Sequence, residues 1–183
     1  NSPPLIFVVA GEASGDNIGA RLMASIRYLT KGHVRFAGVG GPAMEEQGLQ
    51  SIFPMSDLAV MGIVEVIPHL PRLIFRLNQT VKTVKKLQPA ILVTIDSPAF
   101  CLRVCERVKR FGVKTIHYVA PQLWAWYPAR GEKLGKKIDH LLALLPFEET
   151  FFAQFNVGCT FVGHPIVEYG NEEGDGEAFR KRY

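Results

Sequence analysis

The sequence predicts an α/β fold, a parallel β-sheet with helices on both faces. Two observations predict it: short apolar segments of strand composition alternate along the chain with longer segments of helical period, and the first such pair is joined by a glycine-rich turn. Residues 5–10 (LIFVVA) read as a buried strand, 11–16 as a turn, and 18–29 as an amphipathic helix with Ile18, Leu22, Ile26 and Leu29 on one face. Further strands are expected at 34–39, 90–95, 114–119, 141–145 and 160–162, and helices at 43–47, 70–87, 102–111, 132–138 and 147–155. Strands in this rhythm are joined by right-handed crossovers. No internal repeat or low-complexity tract interrupts it.

With 183 residues, 48% of them apolar and 21% charged, the chain can fill one core, and disorder is not the default. The formal charge of +4 is mildly basic, and the Lys and Arg residues are scattered through helical segments. Such a balance suits an anionic ligand or a membrane surface and does not point to nucleic acid. Cys101, Cys105 and Cys159 are odd in number and too sparse for a disulfide scaffold, which suggests a reducing cytoplasm. No stretch reaches the roughly 18 to 20 uninterrupted apolar residues of a spanning helix. Past residue 165 the character changes: 170–176 (GNEEGDG) is acidic, glycine-rich and without apolar period, and 177–183 begins what reads as another helix. The expected organisation is one domain over 1–165, then a linker and the start of a missing second domain over 166–183.

Several residues stand where strands end, and in open α/β sheets ligands bind beyond the carboxyl ends of strands. The run 117–130 (HYVAPQLWAWYPAR) leaves a strand at Pro121 and spends both tryptophans, Trp124 and Trp126, on a loop. Asp96 follows the apolar 90–95 and precedes Ser97-Pro98. A general base belongs in such a place, although an Asx turn before a proline accounts equally for the pattern. In the first turn, Ser14 or Asp16 could cap the helix and the glycines could relieve the bend, or backbone N–H groups there could receive an anion. Glu12 is not needed for capping and is placed to hydrogen-bond a sugar hydroxyl. Glycines at 11, 15 and 19 do not make GxGxxG, which argues against a nicotinamide oxidoreductase. His117, within a strand, reads as a core histidine, and His164 as the better ligand-facing one. Cys101 and Cys105 share a helical face, but no second pair or nearby His completes a zinc set, so no metal is expected. There is no GxSxG elbow and no P-loop lysine. The segment 60–68 is unusually apolar, and 72–87 sets bulky apolar residues beside Arg72, Arg76, Lys82, Lys85 and Lys86. Either a core-facing helix with a solvated basic face or a peripheral membrane contact would explain it.

Taken in order, residues 9–16 (VAGEASGD), 38–42 (GVGGP), 61–66 (MGIVEV), 95–98 (IDSP), 121–126 (PQLWAW), 145–148 (LPFE) and 162–165 (VGHP) resemble lipid-A-disaccharide synthase. The resemblance implies the Rossmann-like N-terminal domain of a two-domain GT-B glycosyltransferase. It implies transfer of a 2,3-diacylglucosamine unit from its UDP donor to the 6-hydroxyl of 2,3-diacylglucosamine 1-phosphate, with inversion, UDP release and no cofactor. Asp96 matches the family's proposed base. The candidate substrate-binding residues within or beside these motifs are Glu12, Ser14, Gly15, Asp16, Met61, Glu65, Gln122, Trp124, Trp126, Arg130, Glu148 and His164. The acceptor side is implied for this half and the UDP side for the next, so this piece alone is expected to be inactive. Acylated substrates favour the membrane reading of residues 60–87, on the cytoplasmic face of the inner membrane. The chain departs from the family at Ala99-Phe100-Cys101, where Asp-Phe-Asn is usual, and at Tyr127, where Arg is common, leaving Arg130 as the nearer cation for phosphate. The rival reading is a non-catalytic lipid- or nucleotide-binding module.

Overall fold

The computed structural model describes residues 2–58, 63–122 and 131–164, without the side chains of 63–68. The element order is β1 (Leu5–Ala10), α1 (Ala13–Leu29), β2 (Arg35–Val39), α2 (Pro42–Glu46), a 3-10 turn (Met55–Asp57), α3 (Ile63–Leu87), β3 (Ile91–Ile95), α4 (Pro98–Lys109), β4 (Lys114–Tyr118), α5 (Gly131–Lys137), β5 (His140–Ala143), α6 (Pro146–Ala153) and β6 (Cys159–Phe161). The strands form one sheet in the order β2-β1-β3-β4-β5-β6, and every neighbouring pair is parallel. The linker and second-domain start expected beyond residue 165 lie outside the described residues.

Alternation along the strands divides the apolar residues between two layers. Val8, Ala10, Val93 and Ile95 face Met23 of α1 and Met44 of α2. Phe7, Val9, Leu92 and Leu141 face the other way, against Leu77 of α3, Val104 of α4, Leu134 of α5 and Phe152 of α6. Helices therefore cover both faces, as the alternating pattern predicts.

Three helices begin well before their apolar period indicates: α1, α3 and α4, the last at Pro98 where a start at 102 is expected. The first turn of α1 bears no large apolar residue, so periodicity misses it. Contact with the sheet fixes it instead: a Cβ on Gly15 would stand 3.3 Å from the Ile95 carbonyl oxygen, so the helix approaches β3 closely there. Helix α3 starts at Ile63 and runs through Pro68 and Pro71. Neither proline has an N–H to give to the carbonyl four residues earlier, which is why the sequence reads as helix only from residue 70, past the first of them.

Asp16 holds together the two helices of the first face, α1 and α2. Its carboxylate is 4% exposed; Oδ1 accepts from the N–H groups of Gly41 (2.8 Å) and Met44 (3.1 Å), and Oδ2 from that of Ala43 (3.0 Å). These are donors at the start of α2, which has no helical partners for them. Asp16 thus braces another helix, neither capping its own nor presenting its carboxylate to a ligand.

His117 is a core residue, as its place in a strand suggests. Its Nδ1 lies 2.8 Å from Thr94 Oγ1, which in turn lies 3.3 Å from Cys105 Sγ. Burial pushes its pKa down to about 4.

Two outcomes follow for stability. Replacing Asp16 by Ala strands buried N–H groups at the head of α2 and is expected to cost about 2–3 kcal/mol in urea unfolding. A histidine with a depressed native pKa binds fewer protons folded than unfolded, so its contribution is complete above pH 6.5 and is lost as the pH falls to about 4. The loss amounts to about 3 kcal/mol. His117→Gln should remove that part of the acid limb when unfolding free energies of the two proteins are compared between pH 7 and pH 4.

Candidate active site

The connection leaving β1 leads to β2 on one side of it, while the chain leaving β3 leads to β4 on the other. Strand order reverses between β1 and β3, and a crevice opens beyond their carboxyl ends. Ala10 pairs with Ile95 in register, so the residues that follow, Gly11-Glu12 and Asp96-Ser97, emerge side by side.

Both Asp96 and Ser97 have left-handed backbones, φ 54° and 42°. For residues other than glycine this costs about 1–3 kcal/mol each, and the surroundings must impose it. They do so with specific bonds. Asp96 N–H donates to the Tyr118 carbonyl at 3.0 Å, and the Ser97 carbonyl accepts from Cys101 N–H at 3.0 Å as α4 begins. Ser97 N–H donates to Asp96 Oδ1 at 2.9 Å. Ser14 Oγ donates to Asp96 Oδ2 at 3.2 Å, and Ser97 Oγ donates to Glu12 Oε1 at 3.3 Å. The two loops interlock at Gly11, where a Cβ would stand 2.8 Å from Ser97 Cβ, so no larger residue fits without moving the Asp96 turn.

The result is a half-buried carboxylate anchored through both oxygens by one N–H and one hydroxyl. An ionised carboxylate has about four lone-pair sites, so Asp96 keeps capacity to accept a hydrogen bond, and then a proton, from a substrate hydroxyl. Glu12 is exposed beside it. Glu12 and Ser97 also line a groove of about 490 Å³ between α3 and α4, whose walls include Leu70, Ile74 and Leu77.

Of the sequence-derived candidates, the structure brings Glu12, Ser14 and Asp96 together. Gly15 is buried against β3, and Asp16 is taken up by α2, so both shape the scaffold of the crevice. Glu148 is a further correction: it is 3% exposed, and its Oε2 accepts from the N–H groups of Leu144 (3.2 Å) and Leu145 (3.0 Å). It closes the turn ahead of α6 as an inward-facing cap. Gln122 and His164 are exposed. Met61, Trp124, Trp126 and Arg130, with Tyr127, lie outside the described residues, as does the side chain of Glu65. The partner that motif reading missed is Ser97. Its signal was available in its place between an aspartate and a proline, but its bond to Glu12 depends on the β1–β3 register.

Cys101 and Cys105 are buried in the layer beneath α4. Burial pushes the Cys105 thiol up to about 11 and the Cys101 thiol well above its ordinary value, so both remain neutral thiols. Among the described residues no group of three or more His, Cys, Asp or Glu side chains could hold a metal ion.

The fold has counterparts among known proteins. In solved structures, the chain superposes on the glycotransferase of kitacinnamycin with a TM-score of 0.57 at 15% identity, over 89% of this chain and 52% of that one. It superposes on Acinetobacter baumannii MurG with a TM-score of 0.50 at 12% identity, over 79% of this chain and 42% of that one. These likenesses establish the fold, the Rossmann-like N-terminal domain of a GT-B architecture. In sequence, the chain is 57% identical to lipid-A-disaccharide synthase of Rhodospirillum centenum over 99% of its length, and 50% identical to that of Granulibacter bethesdensis over 98%. It spans about half of these curated relatives, 46% of each. The family model of lipid-A-disaccharide synthetase matches residues 6–182, and the chain belongs to that family.

Proposed function

We propose that this chain is the acceptor-side half of a lipid-A-disaccharide synthase. In the intact protein a 2,3-diacylglucosamine unit passes from its UDP donor to the 6-hydroxyl of 2,3-diacylglucosamine 1-phosphate, with inversion. One observation carries the reading: Asp96 stands at the switch point, half-buried and held by Ser14 and by the N–H of Ser97. An inverting transfer needs one base. Asp96 takes the acceptor proton as the oxygen attacks C1 of the donor sugar, the C1–phosphate oxygen bond breaks, and UDP leaves with that electron pair. Fixing the carboxylate beforehand removes the cost of orienting it during the reaction. Glu12, beside it, is the residue to accept a bond from another sugar hydroxyl. The UDP moiety is assigned to the half of the protein that the longer relatives possess beyond this chain, so turnover is expected of the intact protein.

The same reading brings the protein to a membrane surface, because both substrates carry acyl chains. No described helix is long and apolar enough to cross a bilayer. Helix α3 instead exposes Leu70 (48%), Ile74 (47%) and Phe75 (62%) close to Arg72, the combination that lies in an interface beside anionic head groups.

In the intact protein, Asp96→Asn retains a residue that tolerates the left-handed turn. It should lower kcat by about 10²–10⁴-fold while far-UV circular dichroism and the urea midpoint stay near wild type; undiminished turnover would remove Asp96 from the base role. For the membrane contact, sedimentation with vesicles containing anionic lipid should weaken with salt. The double substitution Ile74→Ser, Phe75→Ser should weaken it further, by about tenfold or more. Binding that ignores both changes would place the contact elsewhere.

A further inference from the structure

Helix α4 forms one wall of the groove that opens at Glu12 and Ser97, and that wall carries two cations, Arg103 and Arg107. Cations of the facing helix are neutralised: Arg72 and Arg76 both pair with Asp57, at 3.5 and 2.6 Å. Those of α4 meet neutral oxygens. Arg107 Nη1 donates to Asn78 Oδ1 at 2.6 Å, which ties it to α3. Arg103 Nη1 donates to the Ala99 carbonyl at 2.8 Å, and both residues are exposed. Among the described residues no carboxylate pairs with Arg103. A guanidinium has five N–H donors, so this bond leaves most of them for an acceptor. The bond also fixes where the charge sits. Arg103 lies about 9 Å along α4 from Ser97, and its head group returns about 6 Å toward the crevice, leaving the charge about 3 Å beyond Ser97 along the helix axis.

We propose that Arg103 binds the anomeric phosphate of the acceptor while the 6-hydroxyl of the same sugar meets Asp96. That the anion is this phosphate rests on the function proposed above. In such a sugar the reacting hydroxyl and the phosphate project from opposite ends of one ring, so the group that holds the phosphate belongs a short way from the base on the same wall. Arg103 meets that need, lining the groove with Glu12 and Ser97 and turning its charge toward them. Charge favours the same arrangement. Asp96 and Glu12 are both acidic and repel a phosphate at their end of the groove. A guanidinium beyond Ser97 offers it a partner away from them, through the paired N–H···O bonds that suit arginine to phosphate. With the phosphate held on α4, the hydroxyl-bearing end of the ring is the end presented to the base. A sugar without phosphate lacks that anchor, so Arg103 becomes a determinant of selectivity for phosphorylated acceptors. Arg130, the cation that the motifs offer for phosphate, lies outside the described residues.

The test is equilibrium binding to the intact protein, read by calorimetry, of two soluble short-chain ligands: 2,3-diacylglucosamine 1-phosphate and the same sugar without its phosphate. Wild type should bind the phosphorylated ligand about 10- to 100-fold more tightly, the range expected of charge-assisted hydrogen bonds. Arg103→Gln should lose most of that preference by weakening the phosphorylated ligand alone. Ala99→Asp should do the same with Arg103 still in place, because a carboxylate four residues before an arginine on a helix pairs with it. An acid in the first turn also suits the helix dipole, so α4 should keep its stability. Arg107→Gln removes an equal charge one turn farther from the crevice and should change the preference no more than about twofold. An equal loss of both ligands in Arg103→Gln, a preference unchanged in it or in Ala99→Asp, or an equal effect from Arg107→Gln would each overturn the subsite. So would weakened vesicle sedimentation of Arg103→Gln with no change in the soluble pair, which would give the cation to lipid head groups. Failure of the intact protein to form disaccharide, with a phosphate preference that still depends on Arg103, would overturn the proposed function and leave the subsite in place.

Discussion

Ala10 stands opposite Ile95 in parallel register, and the functional geometry depends on that pairing. It delivers two loops to the same point as their chains depart in opposite directions across the sheet. Contacts at the meeting point then hold a backbone that would not form alone. Two consecutive left-handed residues, Asp96 and Ser97, are sustained by a cross-strand bond to Tyr118, a local bond from Ser97 N–H to its neighbour's carboxylate, and the links to Ser14 and Glu12. Gly11 permits the approach by having no side chain. Strain of this kind commonly marks functional sites; here it aims a carboxylate out of the strand end and turns the chain directly into α4.

The remaining polar groups sort by what they satisfy. Asp16 and Glu148 belong to motifs at strand ends and resemble ligand-facing acids in sequence, yet each turns inward to N–H groups that a helix start or turn leaves without partners. Buried donors left unpaired are costly, and a short acidic side chain is the economical acceptor. Asp96 differs because its bonds leave it half-exposed at the crevice. The contrast separates an acid left open to the crevice from acids that maintain the frame.

The layer beneath the sheet's other face contributes in two ways. Leu77, Phe100, Val104 and Cys105 pack into a continuous core, which fixes α3 beside α4. The contact of those helices leaves the groove that starts at Glu12 and Ser97. The groove is continuous with the polar strand-end crevice at Glu12 and Ser97 and runs on between apolar side chains of α3 and α4.

The sequence by itself determined the strand and helix alternation, the parallel sheet, and the placement of Glu12 and Asp96 just beyond strand ends, because strand composition, helical period and position at a strand end are local properties. It placed helix starts late where the first turn carries no apolar residue, at Ala13, or includes prolines, as in α3. Only the tertiary structure decided that Asp16 braces α2, that Glu148 caps its own turn, that Ser97 joins Glu12, and that an apolar groove lies between α3 and α4. Motif spacing records which residues follow one another. Whether a carboxylate faces a crevice or an unpaired N–H is set by strand register and by contacts between residues such as Asp16 and Gly41, or Gly11 and Ser97, that are distant along the chain.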